Sequence, residues 1–131
     1  MIRAALIGAA LLGLAGVVQA DTCAVFDAGQ DQPKGATCTL SRVLGGGVSE
    51  DCSWSFPLRA DAARQRFDEM SALLRSCADG PVTMQGAAVN HPDSYDQLTA
   101  QVGGQEVSLS LKDKGALGRS FVFLRRAASS D

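Results

Sequence analysis

The sequence holds a single histidine, no Cys-x-x-Cys pair, no surplus of positive charge and no second long apolar run. Each shortage excludes a class of function. A zinc site needs thiolates and imidazoles at close spacing. Here Cys23, Cys38, Cys52 and Cys77 stand 15, 14 and 25 positions apart, with His91 as the lone imidazole. No metal site is therefore expected. Without Cys-x-x-Cys there is no thioredoxin-like redox pair, and without Cys-x-x-Cys-His no attached c-type haem. Basic residues number 12 against 14 acidic, a net charge of −2. That balance offers neither nucleic acid nor an anionic membrane a polybasic footprint. No Gly-x-Ser-x-Gly elbow occurs, and no phosphate-cradling loop. The triglycine Gly45-Gly46-Gly47 precedes strand-like sequence and reads as a flexible loop. No cofactor is expected.

What is present begins with an address. Residues 1–20 carry Arg3, then an apolar run over 4–18, then Val18-Gln19-Ala20 with small or aliphatic residues at −3 and −1. This is the pattern of a secretory signal peptide. The run falls short of the roughly 20 residues that span a bilayer. Asp21, not a cysteine, directly follows Ala20, so no lipid anchor is expected there. The mature chain, residues 21–131, should be one soluble domain without stable membrane insertion. The alanine-rich leader and the excess of Arg over Lys suggest a GC-rich bacterial genome. The expected destination is then the periplasm or the exterior.

An even set of cysteines in a small exported chain reads as two disulfides. Their pairing follows from a length argument. Cys52, Trp54, Phe56 and Leu58 alternate with Ser53, Ser55 and Pro57, as in a half-buried strand. Ala60, Ala63, Phe67, Met70, Leu74 and Cys77 then recur at steps of three and four, the apolar stripe of an amphipathic helix. Asp61 is the expected N-cap and Gly80-Pro81 the stop. The strand travels roughly 20 Å and the helix roughly 24 Å. A helix folding straight back would bring Cys77 beside Cys52. Cys23 would then join Cys38 across a hairpin of segments 22–28 and 36–44.

The remainder reads as a meander. Strands are expected over 82–89, 95–102, 105–112 and 120–124. Gly103-Gly104 is expected as a tight turn, residues 90–94 and 113–115 as turns, and residues 127–131 as a frayed tail. Arg125 and Arg126 should end the last strand, which is apolar on both faces and so is expected to be central or covered twice. The fold class is α+β: an antiparallel meander with one long helix on one face, stapled by two disulfides. From Cys52 onward the order of strand, helix and four-strand meander resembles cystatin-like folds in element order.

Candidate chemistry is sparse. His91-Pro92-Asp93 is the tripeptide of J-domain cochaperones, but strand-like segments flank it here instead of helices. His91, Asp93 and Ser94 are adjacent, and adjacent turn residues seldom converge on one substrate atom. Asn90, His91, Asp93, Ser94 and Tyr95 form the candidate binding loop. Glu50-Asp51 and Asp68-Glu69 are neighbouring carboxylates able in principle to do acid–base work; Arg64, Asp68 and Arg75 read as a solvated helix face. The expected function is a non-enzymatic binding or interaction domain, with a protein as its possible partner. The alternative is an inhibitor or immunity-type protein against an envelope or secreted enzyme. A small hydrolase using His91 is a third reading. An exposed sheet edge could pair with another copy, but locating it requires the strand order.

Overall fold

The computed structural model describes residues 23–28, 32–42, 44–85 and 94–127. A 3-10 turn at Cys23–Phe26 leads into β1 (Thr37–Arg42) and β2 (Val48–Pro57). The helix α1 (Asp61–Cys77) follows, then β3 (Thr83–Gln85), β4 (Ser94–Val102) and β5 (Gln105–Lys114). A second 3-10 turn at Gly115–Leu117 precedes β6 (Arg119–Ala127). The strands form one antiparallel sheet in the order β1-β2-β6-β5-β4-β3. This is the α+β architecture the alternation implied, with α1 packed on one face.

Alternation dictates which side chains α1 covers. Cys52 and Trp54 of β2, Leu98 and Ala100 of β4, Val107, Leu109 and Leu111 of β5, and Val122 and Leu124 of β6 are buried beneath it. From the helix come Ala63, Phe67, Met70 and Leu74, spaced to fall on one stripe. Burying each of these large apolar side chains contributes on the order of 1.5–3 kcal/mol. Trp54 finds a partner for its indole N–H in the Lys34 carbonyl at 2.9 Å, and Arg66 lies over its ring. The core is therefore continuous from β2 to β4.

The helix begins one residue off the sequence reading. Ala60 is the N-cap, with no side-chain cap, and Asp61 is the first helical residue. There its carboxylate favours the positive end of the helix dipole instead of capping it. The chain ends the helix at Ala78, ahead of Gly80-Pro81. Arg59, between β2 and α1, takes a positive φ of 56°. That strained turn is held by the Arg59 N–H donating to Ser120 Oγ at 2.7 Å, while Ser120 Oγ donates to Asp113 at 2.6 Å.

The cysteines pair differently from the length argument. The bridges are Cys23–Cys77 and Cys38–Cys52. The argument erred in direction, not in length. Helix α1 crosses the sheet obliquely instead of retracing β2. Its far end lies at the β4–β5 turn, where the Asp79 N–H donates to the Gln101 carbonyl at 2.8 Å and the Asp79 carboxylate accepts from the Gly104 N–H at 3.1 Å. β6 and β5 therefore separate that end from β2. Cys77 meets the 3-10 turn at Cys23–Phe26, which is no strand and has no hairpin role. The hairpin partner of β1 is β2, and its register sets Cys38 opposite Cys52. The triglycine is part of that hairpin's connection, and Gly45 and Gly46 both need positive φ.

Smaller differences follow the same pattern. The strand expected over 82–89 is seen as Thr83–Gln85; residues 86–89 lie outside the described residues. Gly103-Gly104 is the expected turn, with positive φ at both positions. The turn expected at 113–115 falls later, since β5 runs to Lys114. β6 is central, between β2 and β5, but Arg125 and Arg126 do not end it. Residues 1–22, with the leader reading, and the tail from 128 on lie outside the described residues. No helix among the described residues is long and apolar enough to cross a membrane.

Candidate binding face

The sheet has a second face, opposite α1. Residues alternating with the core residues point there: Asp51, Ser53 and Ser55 from β2, Phe121, Phe123 and Arg125 from β6, Glu106, Ser108, Ser110 and Lys112 from β5, and Gln97 and Thr99 from β4. The serine-rich alternation of β2 and β5 in the sequence is the source of this polar surface. On it lies a concavity of about 440 Å³, lined by residues that include Asp51, Gln97, Ser108, Lys112, Phe123 and Arg125.

Its side chains are fixed by one another. The rings of Phe121 and Phe123 stack with centroids 5.5 Å apart. Lys112 Nζ sits 5.6 Å from the Phe123 centroid, a cation–π contact. Arg125 Nε donates to Asp51 at 2.7 Å. That hydrogen bond, with the charge of Asp51, raises the guanidinium above its ordinary pKa. Arg119 donates through Nε and Nη2 to Ser55 Oγ at 3.0 and 2.7 Å, and Gln97 donates to Ser108 at 3.0 Å. The result is an aromatic floor with donors and acceptors of both charges held around it.

The residues singled out from the sequence are placed as follows. Asn90, His91 and Asp93 lie outside the described residues. Ser94 and Tyr95 open β4, in register with Asp113 and Lys112. The latter register puts the Tyr95 backbone beside that of Lys112, which lines the concavity. Glu50 and Asp51 do not converge, because neighbouring strand residues point to opposite faces. Asp51 serves the open face; Glu50 pairs with Arg126 on the opposite, helix-bearing face. Arg126 is fully buried and also donates to the Val25 carbonyl at 2.8 Å, while its Nε has no partner among the described residues. Arg64 on the helix pairs with Asp96 at 3.1 Å. Cys38, Cys52 and Glu50 cluster within 4.8 Å, but both sulfurs are tied in the disulfide and the carboxylate is held by Arg126.

Sequence reasoning missed Phe121, Phe123 and Arg125 as a surface. The signal was present in Phe121-x-Phe123-x-Arg125, three residues on one strand face. It was masked because the intervening Val122, Leu124 and Arg126 made the strand look covered twice. Compared with known proteins, the chain matches no family model, no curated protein and no solved structure.

Proposed function

We propose that the chain is an exported, non-enzymatic binding or interaction domain that engages its partner on the open face of the sheet. The observation that carries this reading is the concavity of about 440 Å³ floored by Phe123 and rimmed by Asp51, Arg125 and Lys112. Its volume lies within the few hundred to about 1,000 Å³ of ordinary ligand sites. Half-buried aromatic rings flanked by arginines are also the composition of protein interfaces. Because the rim side chains hold one another in place, little ordering entropy is lost on binding. Two disulfides suit an oxidising compartment, and a leader over residues 1–20 would deliver the chain there.

The test is site-specific photocrosslinking in an exporting bacterial cell. A photoreactive side chain replaces Ser108 on the open face, or Ala72 on the exposed face of α1. Adducts are expected from position 108 and not from 72. Phe123→Ala with Arg125→Ala should remove them. Adducts from both positions, or from neither, would overturn the reading. An adduct identified as an enzyme that the protein inhibits would select the inhibitor or immunity-type alternative.

A further inference from the structure

Strand order locates an edge that composition alone could not. β1 is the outermost strand, paired on one side with β2 and on the other with no described residue. Its register with β2 also fixes which backbone groups face outward. Cys38 and Cys52 stand directly opposite, with Cα atoms 4.0 Å apart. In antiparallel sheets such closeness marks a non-hydrogen-bonded pair, at about 4.5 Å against about 5.5 Å for the bonded kind. Residues in non-hydrogen-bonded pairs turn their N–H and C=O away from the partner strand. Cys38, Leu40 and Arg42 therefore present theirs at the edge, while Thr37, Thr39 and Ser41 are used by β2.

Natural edges are usually blunted by lysine, proline, a bulge or a covering loop. β1 has no lysine or proline, and its pairing with β2 runs without a break. Leu40 is 68% exposed on it. The Cys38–Cys52 bridge also ties the edge strand to the sheet, so the template is ordered before anything binds.

We infer that β1 pairs antiparallel with β1 of a second copy, about a two-fold axis through Leu40. The occupant is argued from self-complementarity. In this register Leu40 meets Leu40 of the second copy, and Cys38 meets Arg42, so every outward N–H and C=O of these residues finds a partner. On the opposite face Thr39 meets Ser41, a hydroxyl pair of the kind that stabilises strand neighbours. Arg42, the sole charged side chain of β1, is placed at the two ends of the ribbon, about 13 Å apart, where repulsion is weak. The two sheets become one, and each copy keeps its open face. The contact is an edge, smaller than a standard interface, so the dimer is weak and concentration-dependent. This inference stands apart from the proposed function, since no residue of the concavity takes part.

The experiment is analytical ultracentrifugation of the oxidised mature protein from roughly 10 µM to 1 mM, a range that brackets weak association. A monomer–dimer equilibrium is expected. Leu40→Pro removes an outward N–H without touching the β1–β2 ladder and should abolish the dimer. Leu40→Lys, which keeps the backbone intact, should weaken it at least about tenfold. Met84→Lys, on the opposite edge strand, should leave it unchanged. A monomer across the whole range overturns the inference, as does a dimer that survives both Leu40 variants or dissolves with Met84→Lys. A monomer that takes up an unrelated extended peptide at this edge assigns it to a foreign strand and equally overturns it.

Discussion

Two neighbouring arginines, Arg125 and Arg126, meet two neighbouring carboxylates, Asp51 and Glu50, across the same strand pair. One pair lies on the open face, with the Arg125 side chain 65% exposed; the other lies on the helix-bearing face against the 3-10 turn, with Arg126 fully buried. Chemistry and register are alike, so the comparison isolates the effect of burial. In water, forming the pair gains little, because each partner was already well solvated. On the helix-bearing face Arg126 has left water and Glu50 nearly so, and removing either would leave the other's charge without its ion-pair partner. The exposed pair stays within reach of water and of salt. The buried pair locks β6, β2 and the 3-10 turn at Cys23–Phe26 into one arrangement, through Glu50 and the Val25 carbonyl.

The largest expected effect is on the buried side. Glu50→Ala strands the Arg126 charge, and chemical denaturation should show a loss of about 3–5 kcal/mol. A loss below about 1 kcal/mol would mean that water reaches Arg126 and that the two faces differ less than stated.

The disulfides come next. Cys23–Cys77 spans 54 positions and Cys38–Cys52 spans 14. Chain entropy assigns them about 4 and about 3 kcal/mol respectively. Replacing each pair by serine should rank them in that order by denaturation midpoint. Loss of Cys23–Cys77 should also loosen the helix-covered face, read as faster amide exchange in α1 than in β5.

Asp51→Ala should cost less than about 1 kcal/mol, and less still at high salt. It should nonetheless weaken whatever crosslinks at position 108. A raised Arg125 pKa implies a contribution present at neutral pH and lost only as strongly alkaline pH passes the folded value. Stability differences between wild type and Asp51→Ala should therefore stay level from about pH 7 to 9.

The smallest expected effect is also the sharpest contrast. Glu50→Leu combined with Arg126→Met removes both buried charges and should change stability by little, or raise it. A double variant as damaged as Glu50→Ala alone would show that packing around Val25, not charge, holds the region.

The helix stripe, the β2 alternation and the Gly103-Gly104 turn were legible because each is periodic or local. The cysteine count was legible; the partners were not. Each pairing depends on the angle at which α1 crosses the sheet, and no spacing along the chain encodes an angle. The same limit hid Arg126. An Arg-Arg step reads as a strand's exposed end until another strand supplies a carboxylate on the buried side. The open face was half legible: its serines announced a wet surface, but which of β6's two apolar sides was uncovered depended on the placement of one helix.

By itself the sequence determined the element types, because side-chain period selects helix or strand wherever one face must leave water. It also determined that sulfur would staple a small core. The tertiary structure alone decided which sulfurs meet, which arginine is buried, which face stays open and which strand is left at the edge. Those outcomes rest on the order of strands and the oblique path of α1, and both are settled by how distant segments pack together, not by any local preference.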